Sequence, residues 1–300
     1  MRYKLLIIVL IYMLFNLKVY SNSYKYIDLG VDSRSFSIGD SAINIVKGSG
    51  SPLINPAGIG EYNYNWILIS HLNWIFDSTL DNIEIGVPLK NGFVISSGLL
   101  YFSTGSFNIL NSNGDISYTL NSYDASLYLG IGRKIGILKA GVNNKLLIKN
   151  IGDYSGNGFS MDIGIRVSPS YEKSRFNINI VLKNVLYKPI SLIKFDNQIN
   201  REFLAGVDIK IIQGLKILSS LKIGDMPPSY SVSILYNFQK RLSIFSGYNI
   251  SEFNSVGAGL SYKYIIEKRR VIFLEAGYLK ILDNNLNDET PLRLSIRYIY

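Results

Sequence analysis

The chain has 300 residues, a formal net charge of +9, one histidine and no cysteine. The missing cysteine excludes disulfide staples, thiolate metal centres and a lipid-modified N-terminal cysteine, and a single imidazole excludes a metal site built from several. Hydrophobic residues make up 47%, with 22 tyrosines and 14 phenylalanines, yet no stretch past residue 21 approaches the roughly 20 apolar residues of a spanning helix, so the chain either buries a large all-β core or meets lipid through alternating strands.

Met1-Arg2-Tyr3-Lys4 is a short basic start, followed by the apolar run Leu5 to Phe15 and small polar residues around Ser21 and Ser23. This reads as a secretory signal peptide, residues 1–21, with Ser23 as the other cleavage point, because the apolar run is too short for a membrane anchor. Its removal takes away Arg2, Lys4 and Lys18 and no acid, which lowers the net charge to +6. With no lysine-rich block and no nucleic-acid motif, that charge describes a solvated surface and gives no reason to expect nucleic acid as a partner.

Residues 22–63 form a separate unit. Small residues crowd Ser35 to Ala42 and Gly48 to Ser51, and Asn55-Pro56-Ala57-Gly58 precedes the first strand. The segment is long enough to fold into a barrel lumen, where small residues allow close packing on the wall. Pro56 restricts Asn55 to extended backbone, and Asn55 with Gly58 suits a tight turn at the segment's exit. Gly48-Ser49-Gly50 lacks the Lys-Ser/Thr ending of a phosphate loop, so no nucleotide is expected.

From Tyr64 to Tyr300 one pattern repeats: about ten residues of alternating polarity, then a turn signal. Phe159, Met161, Ile163, Ile165 and Val167 oppose Ser160, Asp162, Gly164 and Arg166. In the last strand Leu292, Leu294, Ile296, Tyr298 and Tyr300 oppose Arg293, Ser295 and Arg297. The spacing predicts about 14 strands, near 64–75, 81–89, 93–103, 123–132, 136–149, 158–167, 175–184, 202–211, 214–223, 230–238, 241–250, 255–266, 270–280 and 292–300.

Connections alternate in length. Brief ones at Lys90-Asn91-Gly92, Arg133-Lys134-Ile135, Gln213, Gln239-Lys240 and Glu267-Lys268-Arg269 alternate with longer segments at Thr104–Ser122, Asn150–Asn157, Val185–Arg201 and Ile281–Pro291. Prolines fall at strand ends or in connections, where a missing ladder donor is tolerated. A soluble β-sandwich would not account for lipid-compatible faces on so many successive strands. The expected fold is therefore all-β, a transmembrane antiparallel barrel (64–300) around an N-terminal lumenal hatch (22–63). A sheet that spans lipid has to close to satisfy its backbone.

Strand parity assigns Glu84, Asp124, Asp162, Arg166, Asp208 and Lys210 to the lumen, as a mutually paired polar interior or an anchor for the hatch. His71 is expected to face inward and hydrogen-bond there. Its neighbour Ser70 must point the opposite way, so the two cannot form a catalytic dyad. No nucleophile-base pair is available, so the chain is not expected to be an enzyme, and no cofactor or metal is expected.

The stretch Arg34 to Ala42, the Asn55-Pro56-Ala57-Gly58 motif, Ser70-His71 with Trp74, Gly158 to Gly164, and Leu182-Lys183-Asn184-Val185 together resemble the FadL-like outer-membrane proteins, most closely their PorV/PorQ-type branch. The resemblance implies a fourteen-stranded barrel in the bacterial outer membrane, with a hatch whose gating motif is Asn55, Pro56, Ala57, Gly58 and Gly39. It implies lipid bilayer around the barrel, the barrel assembly machinery as partner of the C-terminal strand, and a hydrophobic or amphipathic small molecule as cargo. The alternative it implies is a PorV-type component of protein secretion or surface attachment, with exported proteins as partners. Outer loops shorter than those of the fatty-acid transporters argue against an external ligand-capturing groove.

Overall fold

The computed structural model describes residues 25–45, 47–169, 176–192, 195–197, 199–224, 227–239, 241–251, 254–267, 270–282 and 289–300. The expected signal peptide lies outside them, as do residues 22–24 and 46 of the expected hatch, residue 175 of an expected strand, and residues 170–174, 193–194, 198, 225–226, 240, 252–253, 268–269 and 283–288 of the expected connections.

Fourteen strands close into one antiparallel barrel. They are β1 (Trp66–Asn73), β2 (Thr79–Pro88), β3 (Phe93–Leu110), β4 (Ile116–Ile135), β5 (Leu138–Ile151), β6 (Tyr154–Val167), β7 (Phe176–Lys188), β10 (Glu202–Ile212), β11 (Leu215–Gly224), β12 (Ser229–Phe238), β13 (Leu242–Ile250), β14 (Ser255–Glu267), β15 (Arg270–Ile281) and β16 (Leu292–Ile299). Between β7 and β10, β8 (Ile190–Leu192) and β9 (Phe195–Asn197) make a separate two-stranded hairpin. Neighbours in sequence are neighbours in the wall, and β1 meets β16 with Trp66 opposite Ile299 and Asn73 opposite Leu292. Closure leaves no edge, so the ladder groups of the wall find partners without water.

The alternation that builds the strands also sorts their faces. On β12, Tyr230, Val232 and Ile234 are about half exposed while Ser229, Ser231 and Ser233 are buried in the interior. On β16, Arg293, Ser295 and Arg297 point inward and Leu292, Leu294 and Ile296 outward. Aromatic pairs bracket the outer face. Tyr298 and Tyr300 stack at 5.2 Å at the short-turn end, and Tyr101 and Tyr123 stack at 5.5 Å towards the long-loop end. From Phe93 to Tyr101, β3 covers about 26 Å along the strand, or ~20 Å of height once a barrel strand's usual tilt is included.

Three expected loops are shorter than the sequence suggested. The segment Thr104–Ser122 is an extension of the β3–β4 hairpin that turns at 111–115. A bulge between Ser103 and Ser106 flips the side-chain phase there, so Phe107 pairs with Leu120 and Ile109 with Tyr118 on the inward side, while Ser106–Asn121 and Asn108–Thr119 form the outward one. Beyond the membrane-like band an apolar outer face is no longer needed, and the interrupted alternation reads as a loop. The expected loop Asn150–Asn157 is strand except for a turn at Gly152-Asp153, and Val185–Arg201 contains the end of β7 and the β8–β9 hairpin.

Residues 25–45 and 47–61 fill the lumen. They run through short 3-10 turns at Lys25–Leu29, Gly39–Asn44 and Pro56–Glu61 and short helices at Ser33–Ile38 and Ser51–Ile54. Val31, Phe36, Ile38, Ile43 and Leu53 of this segment are buried in one core with Leu72, Leu100, Leu204, Leu218 and Phe245 of the wall. Each such side chain contributes roughly 1.5–3 kcal/mol relative to exposure, so a segment with little regular structure is held by burial.

Candidate functional site

The segment is seated by small residues on both sides. A methyl group on Gly257 would come within 2.0 Å of the Ser37 carbonyl oxygen, and one on Gly141 within 2.0 Å of the Pro56 carbonyl oxygen. Hydroxyls then supply the hydrogen bonds: Ser33 Oγ donates to the Arg293 carbonyl (2.9 Å), Ser37 Oγ lies 3.0 Å from the Ala258 carbonyl, and Ser231 Oγ donates to the Ile38 carbonyl (3.1 Å). Asp32 caps the helix Ser33–Ile38 by accepting from Ser35 N at 2.8 Å. The capping carboxylate pairs with Arg34 (3.3 Å), which reaches Glu275 on β15 at 3.2 Å, and Glu275 in turn pairs with Arg297 on β16.

The motif residues lie at the foot of this segment. The Asn55 side chain accepts from Ala57 N (3.1 Å) and donates to the Ile43 carbonyl (2.8 Å) and to Asn179 Oδ1 on β7 (3.3 Å). Pro56 and Ala57 rest on Gly141 and Gly164 of the wall. Gly58 closes the turn, its N–H donating to the Asn55 carbonyl and its own carbonyl accepting from Gly48, both at 2.9 Å. Gly39 ends the first helix at φ +57°, with the Asn249 amide where a side chain would stand.

Of the residues assigned to the lumen by parity, Glu84, Asp124, Asp162, Arg166 and Asp208 lie buried on the inner face. Glu84 gathers neutral donors: Trp66 Nε1 at 2.9 Å, Gly50 N at 3.0 Å, Ser96 Oγ at 3.2 Å and Tyr128 OH at 3.3 Å. Asp162 pairs with Lys145 (2.7 Å), Asp124 with Lys149 (2.9 Å), and Arg166 with Asp208 (3.2 Å) and Glu61 (3.2 Å). Lys210 is exposed near the short-turn end of β10.

His71 is a correction. Its side chain is 50% exposed on the outer face, where Nδ1 lies 2.6 Å from Asp81 and Nε2 2.9 Å from Asn73, while Ser70 points inward and donates to the Val31 carbonyl. The first strand carries apolar residues on both faces, Trp66, Leu68 and Leu72 against the segment and Ile67 and Ile69 outward, so its phase could not be read from polarity.

Two carboxyls of the segment bind it to the wall electrostatically. Burial alone would raise the Asp28 carboxyl, but Lys183 (2.7 Å) and Lys222 (3.7 Å) more than offset this and hold it well below the usual carboxylate range. Burial likewise opposes ionisation of Glu61, and Arg166, Lys47 and Lys139 together depress it. A depressed carboxyl contributes stability that is complete above its unfolded value, about 4, and is lost as the pH falls through that value towards the folded one. Acidification from pH 7 to 3 should therefore lower hydrogen-exchange protection, corrected for intrinsic rates, across residues 25–61 before it disturbs the barrel ladder.

Above the segment, at the long-loop end, is a cavity of about 650 Å³. Tyr26, Phe36, Trp74, Phe76, Phe102, Leu279 and Ile281 give it a mostly apolar lining, and Asp40, Asp124, Lys149 and Lys222 place charge at its margins. Tyr26 stacks on Phe102 at 5.6 Å, and Phe36 meets Trp74 edge-on at 6.1 Å. Phe76, at φ +54° and 68% exposed, stands at the rim. The size and mixed lining suit a small apolar or amphipathic molecule. Among the described residues no cluster of three His, Asp or Glu side chains is placed to hold a metal ion.

No protein-family model matches the sequence, and no curated protein matches it. Solved structures do. The Pseudomonas putida toluene transporter TodX superposes with a TM-score of 0.63 at 11% identity, covering 94% of this chain and 99% of that one. The Ralstonia pickettii toluene transporter TbuX gives 0.66 at 10% identity, with 91% and 98% covered. A Pseudomonas aeruginosa FadL homologue gives 0.58 at 7% identity, with 90% and 98% covered. The chain has the FadL-like barrel fold. At these identities the fold is what is shared.

Proposed function

We propose that this protein is an outer-membrane channel for hydrophobic or amphipathic small molecules, with residues 22–63 as its hatch and no covalent chemistry of its own. The observation that carries this reading is the mostly apolar 650 Å³ cavity at the barrel mouth, floored by the buried N-terminal segment. A molecule leaving water for this cavity gains from apolar burial, and movement of the hatch or wall would pass it onward. The apolar outer face between aromatic pairs supports a place in a bilayer, with the short-turn end towards the periplasm. The toluene transporters with this fold support an apolar cargo. For the PorV-type role in secretion or surface attachment, support comes from the sequence motifs alone.

Uptake of radiolabelled toluene by cells carrying the protein provides the test. Trp74→Ala and Phe102→Ala each remove an aromatic wall of the cavity, and the loss of about 1.4 kcal/mol of contact corresponds to roughly tenfold weaker capture. Uptake equal in wild-type cells and in cells lacking the gene would refute the reading.

A further inference from the structure

At the short-turn end, opposite the mouth, the barrel holds a second, polar cavity of about 300 Å³ lined by Lys47, Lys134, Lys139, Arg166 and Lys216, with Glu61 the one acid in the lining. Lys47, Lys139 and Arg166 converge on Glu61 at 3.1–3.2 Å, and Arg166 and Lys216 share Asp208 at 3.1–3.2 Å. Four cations thus stand around two carboxylates, and Lys134 adds a fifth positive charge to the wall. Low-dielectric walls concentrate such a field. The donors are also not exhausted. Arg166 is 2% exposed, and its Nε, although 3.2 Å from Glu61 Oε1, makes no well-directed hydrogen bond among the described residues. Ser168 Oγ accepts from Lys139 Nζ at 2.8 Å and keeps its own proton to give.

We propose that this vestibule is an anion site, which takes a phosphate group, free or as a lipid headgroup, between the Lys47–Lys139 and Arg166–Lys216 sides. The site rests on the fold and its charges and not on the transport reading. A bound phosphate competes with Glu61 for its three cations, so occupancy at this end bears directly on the last anchor of the N-terminal segment. Glu61 therefore acts as a resident competitor, and its removal should tighten binding where loss of a purely structural residue would weaken it.

The full-length purified barrel in detergent, titrated calorimetrically with inorganic phosphate and separately with dihexanoylphosphatidic acid below its micellar concentration, tests this. Saturable one-site binding is expected above a chloride control of matched ionic strength. Lys47→Met with Lys216→Met, both at partly exposed positions, should weaken it at least fivefold, and Glu61→Gln should strengthen it. Binding of phosphate assigns the site to free anions, and binding of the lipid alone assigns it to headgroups. Heats no larger than those of chloride with both probes, or variant affinities equal to wild type, would overturn the proposal.

Discussion

Leucine at Gly257 together with leucine at Gly141 is expected to unseat the N-terminal segment and leave the barrel closed. At both positions a methyl group would meet a backbone carbonyl oxygen at 2.0 Å, Ser37 in one case and Pro56 in the other, so the conflict cannot be relieved by rotating a side chain. Overpacking costs about 1–3 kcal/mol per site, and the two contacts lie on different parts of the segment, so the costs should nearly add. A combined ~2 kcal/mol already raises the population of the displaced segment about 30-fold. The chain has no cysteine, so one thiol introduced at Ala42, a buried position 2% exposed, reports the change. Its maleimide labelling should be at least 30-fold faster in the double variant, while the heat-dependent gel shift of a folded barrel persists. Unchanged protection in a folded barrel would show that those carbonyls do not seat the segment.

The sequence revealed the wall and largely concealed what fills it. Strand parity placed Asp162, Arg166 and Asp208 inside, because their neighbours Ile163, Ile165 and Ile209 are unambiguous lipid-type residues. Parity failed at His71, where both faces of β1 are apolar because one of them packs on the segment instead of on water. Glu61, the meeting point of three cations, gave no signal: it sits in a short 3-10 turn without periodicity, and its partners come from β5 and β6 and from Lys47. The wall glycines Gly141, Gly164 and Gly257 share the polar parity of their strands. What they make room for, backbone at van der Waals distance, depends on which part of the segment lies against them, and local pattern does not encode that. The mouth cavity joins Tyr26, Trp74, Phe102 and Leu279, residues far apart in the chain, and an aromatic on an inward parity reads the same whether it packs or lines a pocket.

Replacing Lys145 by methionine should be among the most destabilising single changes in the wall. Between β6 and β7 the register slips, so that Lys183, Asn184 and Val185 stand opposite Asp162 alone. Asn184 takes the left-handed conformation at φ +57°, and its N–H, which has no strand carbonyl opposite, donates to Asp162 Oδ1 at 2.8 Å. Asp162 thus does the work of a main-chain acceptor at a break in the ladder. Lys145 makes this possible: its Nζ lies 2.7 Å from Asp162 Oδ2 and 3.0 Å from Asn184 Oδ1, with both charged side chains 1% exposed. Methionine fills a similar volume but leaves a buried carboxylate without a counter-charge, a loss of about 3–5 kcal/mol. Adding Asp162→Asn removes that charge and keeps an oxygen for the Asn184 N–H, so the double variant should recover most of the loss, with a coupling of roughly 2 kcal/mol or more in the cycle. Lys149→Met, at the more open Asp124 pair (15% and 8% exposed), should cost about 1 kcal/mol. Reversible urea unfolding in detergent micelles ranks the three. If Lys145→Met cost no more than Lys149→Met, the slip between β6 and β7 would have to be held by the backbone itself and not by this pair.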